Sequence, residues 1–354
     1  MNRRRLLQTV AAGTAVLAGC SSADSDAEPT ATTTSTPTGA DKSLPNGIYV
    51  QSFRESMSMQ GMADAGPYRV AFMYASPHVF WNMTGSDRSR TPRSGDIHAM
   101  AVVWDRETGR IVPETGLSLT IRRDGNLVSE EVIYPMLSQT MGYHYGGNFS
   151  LAASGETPTD GQYTAHISVG GIPDGVELTG SYAGRFREPA NATLDFSFTE
   201  ADREQVRAEA LEQAGQPGAL RPMKMEGIPQ ATTPAVDALP GTVFGTPNSD
   251  DAILATGATD ARADGSETYL YVSARTRYHG MVLPAMALTV ERGDESIALT
   301  RTLDPELGYH YGATVSALES GEQLRIVTDV PPQTARHEGY ERAFRQMPPV
   351  TVTS

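Results

Sequence analysis

Histidine and methionine are the side chains through which this chain could do chemistry, and both are sparse: seven histidines and 14 methionines in 354 residues. His144 stands between two tyrosines and ahead of a glycine pair in "TMGYHYGGNF". Gly-Tyr-His-Tyr-Gly returns around His310, so the motif belongs to a repeated unit and not to a single turn. Upstream, "SGDIHAM" carries Asp96, His98 and Met100 at alternate positions, which a strand places on one face. Met136 precedes His144 at a spacing that lets a strand end and the following turn bring a thioether to an imidazole. That pair is a soft-to-borderline donor set, and it favours copper, Cu(I) above all, over calcium or magnesium. A histidine bonded within a turn and a methionine filling a core give the same pattern without metal, so the residues alone leave both readings open.

Other candidates are weaker. Met57, Met59 and Met62 form a Met-X-Met-X-X-Met cluster that could offer thioethers to Cu(I) or simply pack. His78, in "SPHVFWNM", and His279 with Met281, in "RYHGMVLP", are open in the same way. His166 lies in an expected strand and is read as structural. "HEGYE" at His337–Glu341 imitates His-Glu-X-X-His, but it ends in Glu and no helix is indicated, which argues against a zinc protease. Neither a Gly-X-Ser-X-Gly elbow nor a phosphate-cradling glycine loop occurs, so no enzyme is expected.

The elements that must position these residues are short strands. "YRVAFMY", "IHAMAVVW", "LSLTIRR", "YTAHISV" and "LDFSF" alternate apolar and polar residues between Gly, Pro, Asp and Asn, the pattern of an antiparallel sandwich. Residues 47–198 form one such unit and 250–354 a second, with "ETYLYVSAR", "MALTVERGD" and "EQLRIVTDV" as its clearest strands. "LTIRRDG" and "LTVERGD" each precede a Gly-Tyr-His-Tyr-Gly by a similar interval, which indicates an internal duplication. Between the units, residues 199–249 are expected to hold a helix over "EADREQVRAEALEQAG", capped at Thr199, and a Pro- and Gly-rich linker. The fold class is therefore all-β, two sandwiches in tandem.

A net charge of -14 and a pI near 4.9 argue against a nucleic-acid partner, which requires clustered Lys and Arg. The N-terminus resembles a twin-arginine lipoprotein signal over residues 1–20: Arg3-Arg4-Arg5, a short apolar run, then Leu17-Ala18-Gly19-Cys20. That resemblance implies export, cleavage before Cys20, lipidation of its thiol and anchoring to the outer face of the cytoplasmic membrane. With the single cysteine so used, no thiolate remains for a zinc site, a disulfide or a blue-copper centre. Residues 21–46, rich in Ser, Thr and Pro, read as a solvated tether. Sequons at Asn82, Asn148 and Asn191 are compatible with glycosylation.

"SGDIHAMAVV", "YPMLSQTMGYHYGGNFSL" and "GQYTAHI" together resemble the bacterial periplasmic iron-uptake proteins of the Tpd type, and a halophilic archaeal lipoprotein group described as iron transporters. The resemblance covers most of residues 47–198 and continues in shortened form through the second unit. It implies an immunoglobulin-like fold, a homodimer, copper bound by histidines and a methionine, a link to iron, and a membrane iron permease as partner. Position by position, it makes His98, Met136 and His144 metal ligands. The family's late histidine follows a Pro-Pro loop. The first unit lacks one, whereas "VPPQTARHEGYERAF" in the second offers His337. The second unit keeps His310 but has Tyr269 in place of His98 and no methionine matching Met136. Either each unit holds an incomplete site, or His337 completes the first site across an intramolecular pseudo-dimer interface. A surface lipoprotein of structural or adhesive role, and a copper redox protein assisting iron reduction, are the competing functions.

Overall fold

The alternating runs become strands whose inward residues fill a sandwich. In a computed structural model describing residues 44–152 and 156–354, Val70, Phe72 and Tyr74 of strand Tyr68–Ala75 and Ala99, Ala101 and Val103 of strand Ile97–Asp105 enter one apolar core. Phe196 closes that core, stacked on Tyr163 at 5.4 Å and edge-on to Phe72 at 5.3 Å between ring centroids. The leader, Cys20 and most of the tether expected from the sequence lie outside the described residues. The described residues form one compact unit, all-β, with two immunoglobulin-like sandwiches in tandem.

The duplication is visible in the hydrogen-bond ladders. In the first half the neighbour order is Ser58–Ala65, Tyr68–Ala75, Ile97–Asp105, Gly142–Phe149, Asn126–Ser138, Leu117–Arg123, Gly161–Val169, Ala190–Phe198. In the second it is Thr242–Gly245, Ala252–Thr259, Glu267–Thr276, Gly308–Ser316, Glu295–Asp304, Ala287–Arg292, Gln323–Val330, Val350–Thr353, the same path again. The long strand is shared by both sheets of each sandwich. Asn126–Ile133 pairs with one neighbour and Tyr134–Ser138 with the other, just as Glu295–Leu299 and Thr300–Asp304 do.

The helix is shorter than its composition suggested. Thr199 caps it with a reciprocal bond to Asp202, but it spans only Glu200–Gln205. None of its residues is buried, and a short helix without an apolar face to pack is marginal in water. Beyond it, Glu209–Ala210 pairs instead with Phe53–Arg54 as a two-stranded ribbon.

The tyrosines explain why Gly-Tyr-His-Tyr-Gly recurs. Their rings point into the core while the histidine between them points out, as strand alternation requires. The Tyr145 hydroxyl accepts from Thr115 N at 2.9 Å, and the Tyr311 hydroxyl accepts from Met286 N at 3.1 Å while donating to Leu283 O at 2.7 Å. Tyr143 and Tyr309 accept from the backbone of Glu114 and Ala285, two residues in the left-handed conformation at φ 60° and 56°. The motif thus ties each central strand to the loop entering the next.

Each half also reaches into the other. Val176–Leu178 runs parallel to the second half's long strand, matching Val176 to Arg301 and Leu178 to Leu303. Ala335–Arg336 runs parallel to the first half's long strand, matching Ala335 to Met136 and Arg336 to Leu137. The correspondence extends one residue further: Thr179 N donates to Leu303 O and His337 N to Leu137 O, both at 3.1 Å. Glu114 reinforces the junction, its carboxylate accepting from the Tyr309 hydroxyl and pairing with Arg301. Burial pushes this carboxyl up, against the hydrogen bond from Tyr309 and the charge of Arg301.

Tyr145→Phe and Tyr311→Phe each leave a buried backbone N–H without its acceptor, so each is expected to lower unfolding free energy by about 1–3 kcal/mol. Denaturant melts of the two variants check both the size of the loss and its similarity between the halves.

Candidate metal centre

His144 and Met136 meet as directly opposed residues of adjacent antiparallel strands, which is closer than the strand-end-and-turn placement expected from their spacing. His98 comes from the neighbouring strand Ile97–Asp105, where alternation sends it outward with Met100 and Val102. Asp96 does not share that face. It lies ahead of the strand, and its carboxylate accepts from Leu151 N at 2.7 Å, so it fastens a loop. His337 arrives from the second half on the Ala335–Arg336 strand, its Nε2 3.3 Å from Met136 Sδ.

A fourth histidine completes the group. His78 stands at the root of a hairpin, Phe80–Thr84 with Asp87–Thr91, that is inserted between two sandwich strands; a single 3-10 turn occupies this connection in the second half. Its ring centroid is 4.0 Å from that of His98 and 4.6 Å from that of His337, and the ring of His144 is 5.1 Å from that of His337. One nitrogen from each of His78, His98 and His337 falls within 4.8 Å of the others. All four histidines are buried, each residue at most 6% exposed.

The hydrogen bonds fix which nitrogen faces the centre. His144 Nδ1 lies 3.0 Å from Gly142 O, and because a carbonyl only accepts, the proton sits on Nδ1. His98 Nδ1 lies 2.8 Å from Asn148 Oδ1, while the amide nitrogen of Asn148 donates to His78 O and Pro92 O, which leaves Oδ1 as the acceptor. His78 Nδ1 is 3.2 Å from both Ser76 O and Glu55 Oε1, and His337 Nδ1 is 3.6 Å from the same carboxylate oxygen. The Nε2 atoms of His78, His98 and His144 are buried without any partner. Carboxylate, amide or carbonyl behind Nδ1 and a bare lone pair in front is the arrangement that orients histidines around a metal.

Burial pushes these imidazoles down, His78 to about 4, His144 to about 3 and His98 well below the usual range, so at neutral pH they hold the uncharged, metal-binding form. Burial alone would raise the Glu55 carboxyl, but the His78 and His337 rings facing it outweigh that and hold it at about 2. The donor set is thus several neutral imidazoles, one thioether and one adjacent negative charge.

Gly146 makes the space. It opposes Tyr134 on one side and Met100 on the other, and a Cβ there would lie 2.9 Å from His98 Nε2 and 3.0 Å from Met136 Sδ. Its counterpart Gly312 admits a different side chain, and a Cβ there would clash with the Tyr269 hydroxyl.

The second half lacks this chemistry. Tyr269 occupies the place of His98, Thr302 that of Met136 and Thr179 that of His337. His310 is kept, yet Nδ1 is 3.0 Å from Gly308 O and Nε2 2.9 Å from the Tyr269 hydroxyl, so both nitrogens are satisfied. Of the residues the sequence suggested as ligands, His98, Met136, His144 and His337 come together and His310 stands apart. Sequence reasoning passed over Glu55 and left His78 open. It read Asn148 as a sequon, although its amide is committed to the centre. His166 bonds Thr193 Oγ1 at 3.0 Å, its direct partner on the adjacent strand Ala190–Phe198.

The copper-reconstituted P19 protein from Campylobacter jejuni matches over 40% of this chain and 96% of its own, at 18% identity and a TM-score of 0.32. Two copper-bound variants of that protein match at 17% identity, also with a TM-score of 0.32 and over 40% of this chain, with 97% and 96% of theirs covered. No curated protein matches. The family described as "Domain of unknown function (DUF7350)" matches residues 237–353.

Proposed function

We propose that the chain is a non-enzymatic metal-binding protein whose centre holds copper, and that it serves a membrane iron permease as an exported, lipid-anchored accessory. The observation that carries the metal reading is the set of buried, unpartnered Nε2 atoms on His78, His98 and His144. Leaving such atoms without hydrogen bonds costs roughly 1–3 kcal/mol each, a cost that a purely structural role does not recover and a bound cation does. Copper is favoured because imidazole and thioether are borderline and soft donors, and the described residues include no cysteine to compete for the choice. His78, His98, His144 and His337 would hold the ion through Nε2 and Met136 through Sδ, while Glu55 and Asn148 keep the rings oriented. Bound copper would supply a charge that the Glu55 carboxylate offsets in part.

The iron and permease parts of the reading are supported by the ordered motifs around His98, Met136 and His144 that resemble Tpd-type proteins. The anchoring part is supported by the twin-arginine lipoprotein pattern ending at Cys20. Among the described residues no helix is long and apolar enough to cross a membrane.

Removing a ligand is expected to weaken copper binding at least about 100-fold in His144→Ala and in His337→Ala, since even outer partners of metal ligands are worth 10–100-fold. Competition titrations with a copper chelator measure this, and wild-type affinity in both variants would sink the reading. Gly146→Ala is expected to cost copper affinity about tenfold or more, because the methyl group enters the space between His98 and Met136. Gly312→Ala is the control, expected to lower the melting temperature without changing copper affinity.

A further inference from the structure

The four histidines are buried, so a cation needs a route to them, and one face of the site sheet is lined with thioethers. Met59, Met73 and Met100 are consecutive cross-strand partners on three adjacent strands, and the next partner of Met100 is Gly146. Directly opposed residues on an antiparallel pair share a face with Cβ atoms about 4.5–5.5 Å apart. Met73 and Met100 are fully buried, whereas Met59 at the sheet edge is 43% exposed. Met57, Met62, Met141 and Met225 pack on the same cluster, Met225 from the connector between the sandwiches.

Packing alone does not account for this composition. Seven of the chain's 14 methionines (57, 59, 62, 73, 100, 141 and 225) lie on or beside this one face. The cluster has no Leu or Phe, although these are the ordinary residues of a rigid core. The far larger inner core has only Met281, Met286 and Met347 among its buried residues. Methionine has therefore been concentrated where the sheet leads from solvent to His98 and Met136.

We propose that Met59, Met73 and Met100, with the methionines packed on them, form a second metal site that takes the soft monovalent cation Cu(I). The ion passes by exchange of thioether ligands from the exposed edge to the space over Gly146. No electron is transferred: each step breaks one Cu–S contact as another forms. The hand-over rests on the copper reading of the histidine centre, whereas binding at the methionines does not.

Silver(I), a redox-inert probe of the same softness, separates the two. With the full mature chain labelled at the methionine methyls, substoichiometric Ag(I) is expected to shift the Met59, Met73 and Met100 resonances, and to go on doing so in His98→Ala/His144→Ala. Unmoved methyl signals in both proteins overturn the proposal, whereas a double histidine variant that keeps wild-type copper affinity overturns only the histidine centre. Leu replaces Met with nearly conserved volume, so Met73→Leu/Met100→Leu is expected to fold, to lose binding at the methionines and to leave the copper affinity of the histidine centre unchanged. Its uptake of Cu(I) from a chelator complex is expected to slow by about tenfold or more, as soft ligands are lost along the path. Loading at the wild-type rate overturns the hand-over. Should the variant not fold, the methyl shifts of the wild-type chain decide on their own.

Discussion

The parallel docking of Ala335–Arg336 on the Met136 strand is the contact on which the site depends. It places His337 beside Met136 Sδ, it pairs Arg336 with Trp81 of the inserted hairpin, and it sets a segment of the second half against the first. Arg336 is fully buried, and its guanidinium donates to the carbonyls of Pro332, Thr334 and Ala343. A cation so held stiffens the loop that presents His337, because three backbone acceptors fix the path of the chain on either side of it. The mirror contact at Val176–Leu178 ends in Thr179, which bonds Asp304 where a ligand would otherwise stand.

The fold rewards duplication followed by divergence. Two sandwiches with the same ladder order each present a central strand with a histidine and a glycine opposite a partner side chain. In one, small changes around the glycine admit imidazole and thioether. In the other, a tyrosine fills the space and satisfies the remaining histidine. Strand order, tyrosine anchors and left-handed turns are common to both, since they serve the core, while the outward residues are free to differ.

Much of this was legible in the sequence because it is written in local pattern. Alternation gave the strands, and the second Gly-Tyr-His-Tyr-Gly gave the duplication. The chemistry of His98, Met136 and His144 pointed to one face, although Asp96 turned out to belong to the loop before it. What stayed hidden depends on distance along the chain. Glu55 precedes the first sandwich in a stretch with no periodic signal, and His78 belongs to an insertion that the second half lacks, so repetition could not flag either. Asn148 matched a surface motif while its amide was needed by His98, and no pattern shorter than the sheet register reveals that. The helix stops at Gln205 although composition favours helix through Ala214, because it has no apolar face to bury.

The mutual clasp of the two halves also has a consequence in time. Native proteins open locally at little cost where few contacts hold a segment, and ligands on such segments exchange quickly. Here the strand bearing Met136 is covered by the second half and the second half's long strand by the first, so neither can fray while the other is closed. The lifetime of His337 beside Met136 therefore follows the opening of the whole unit and not the fraying of a two-residue strand.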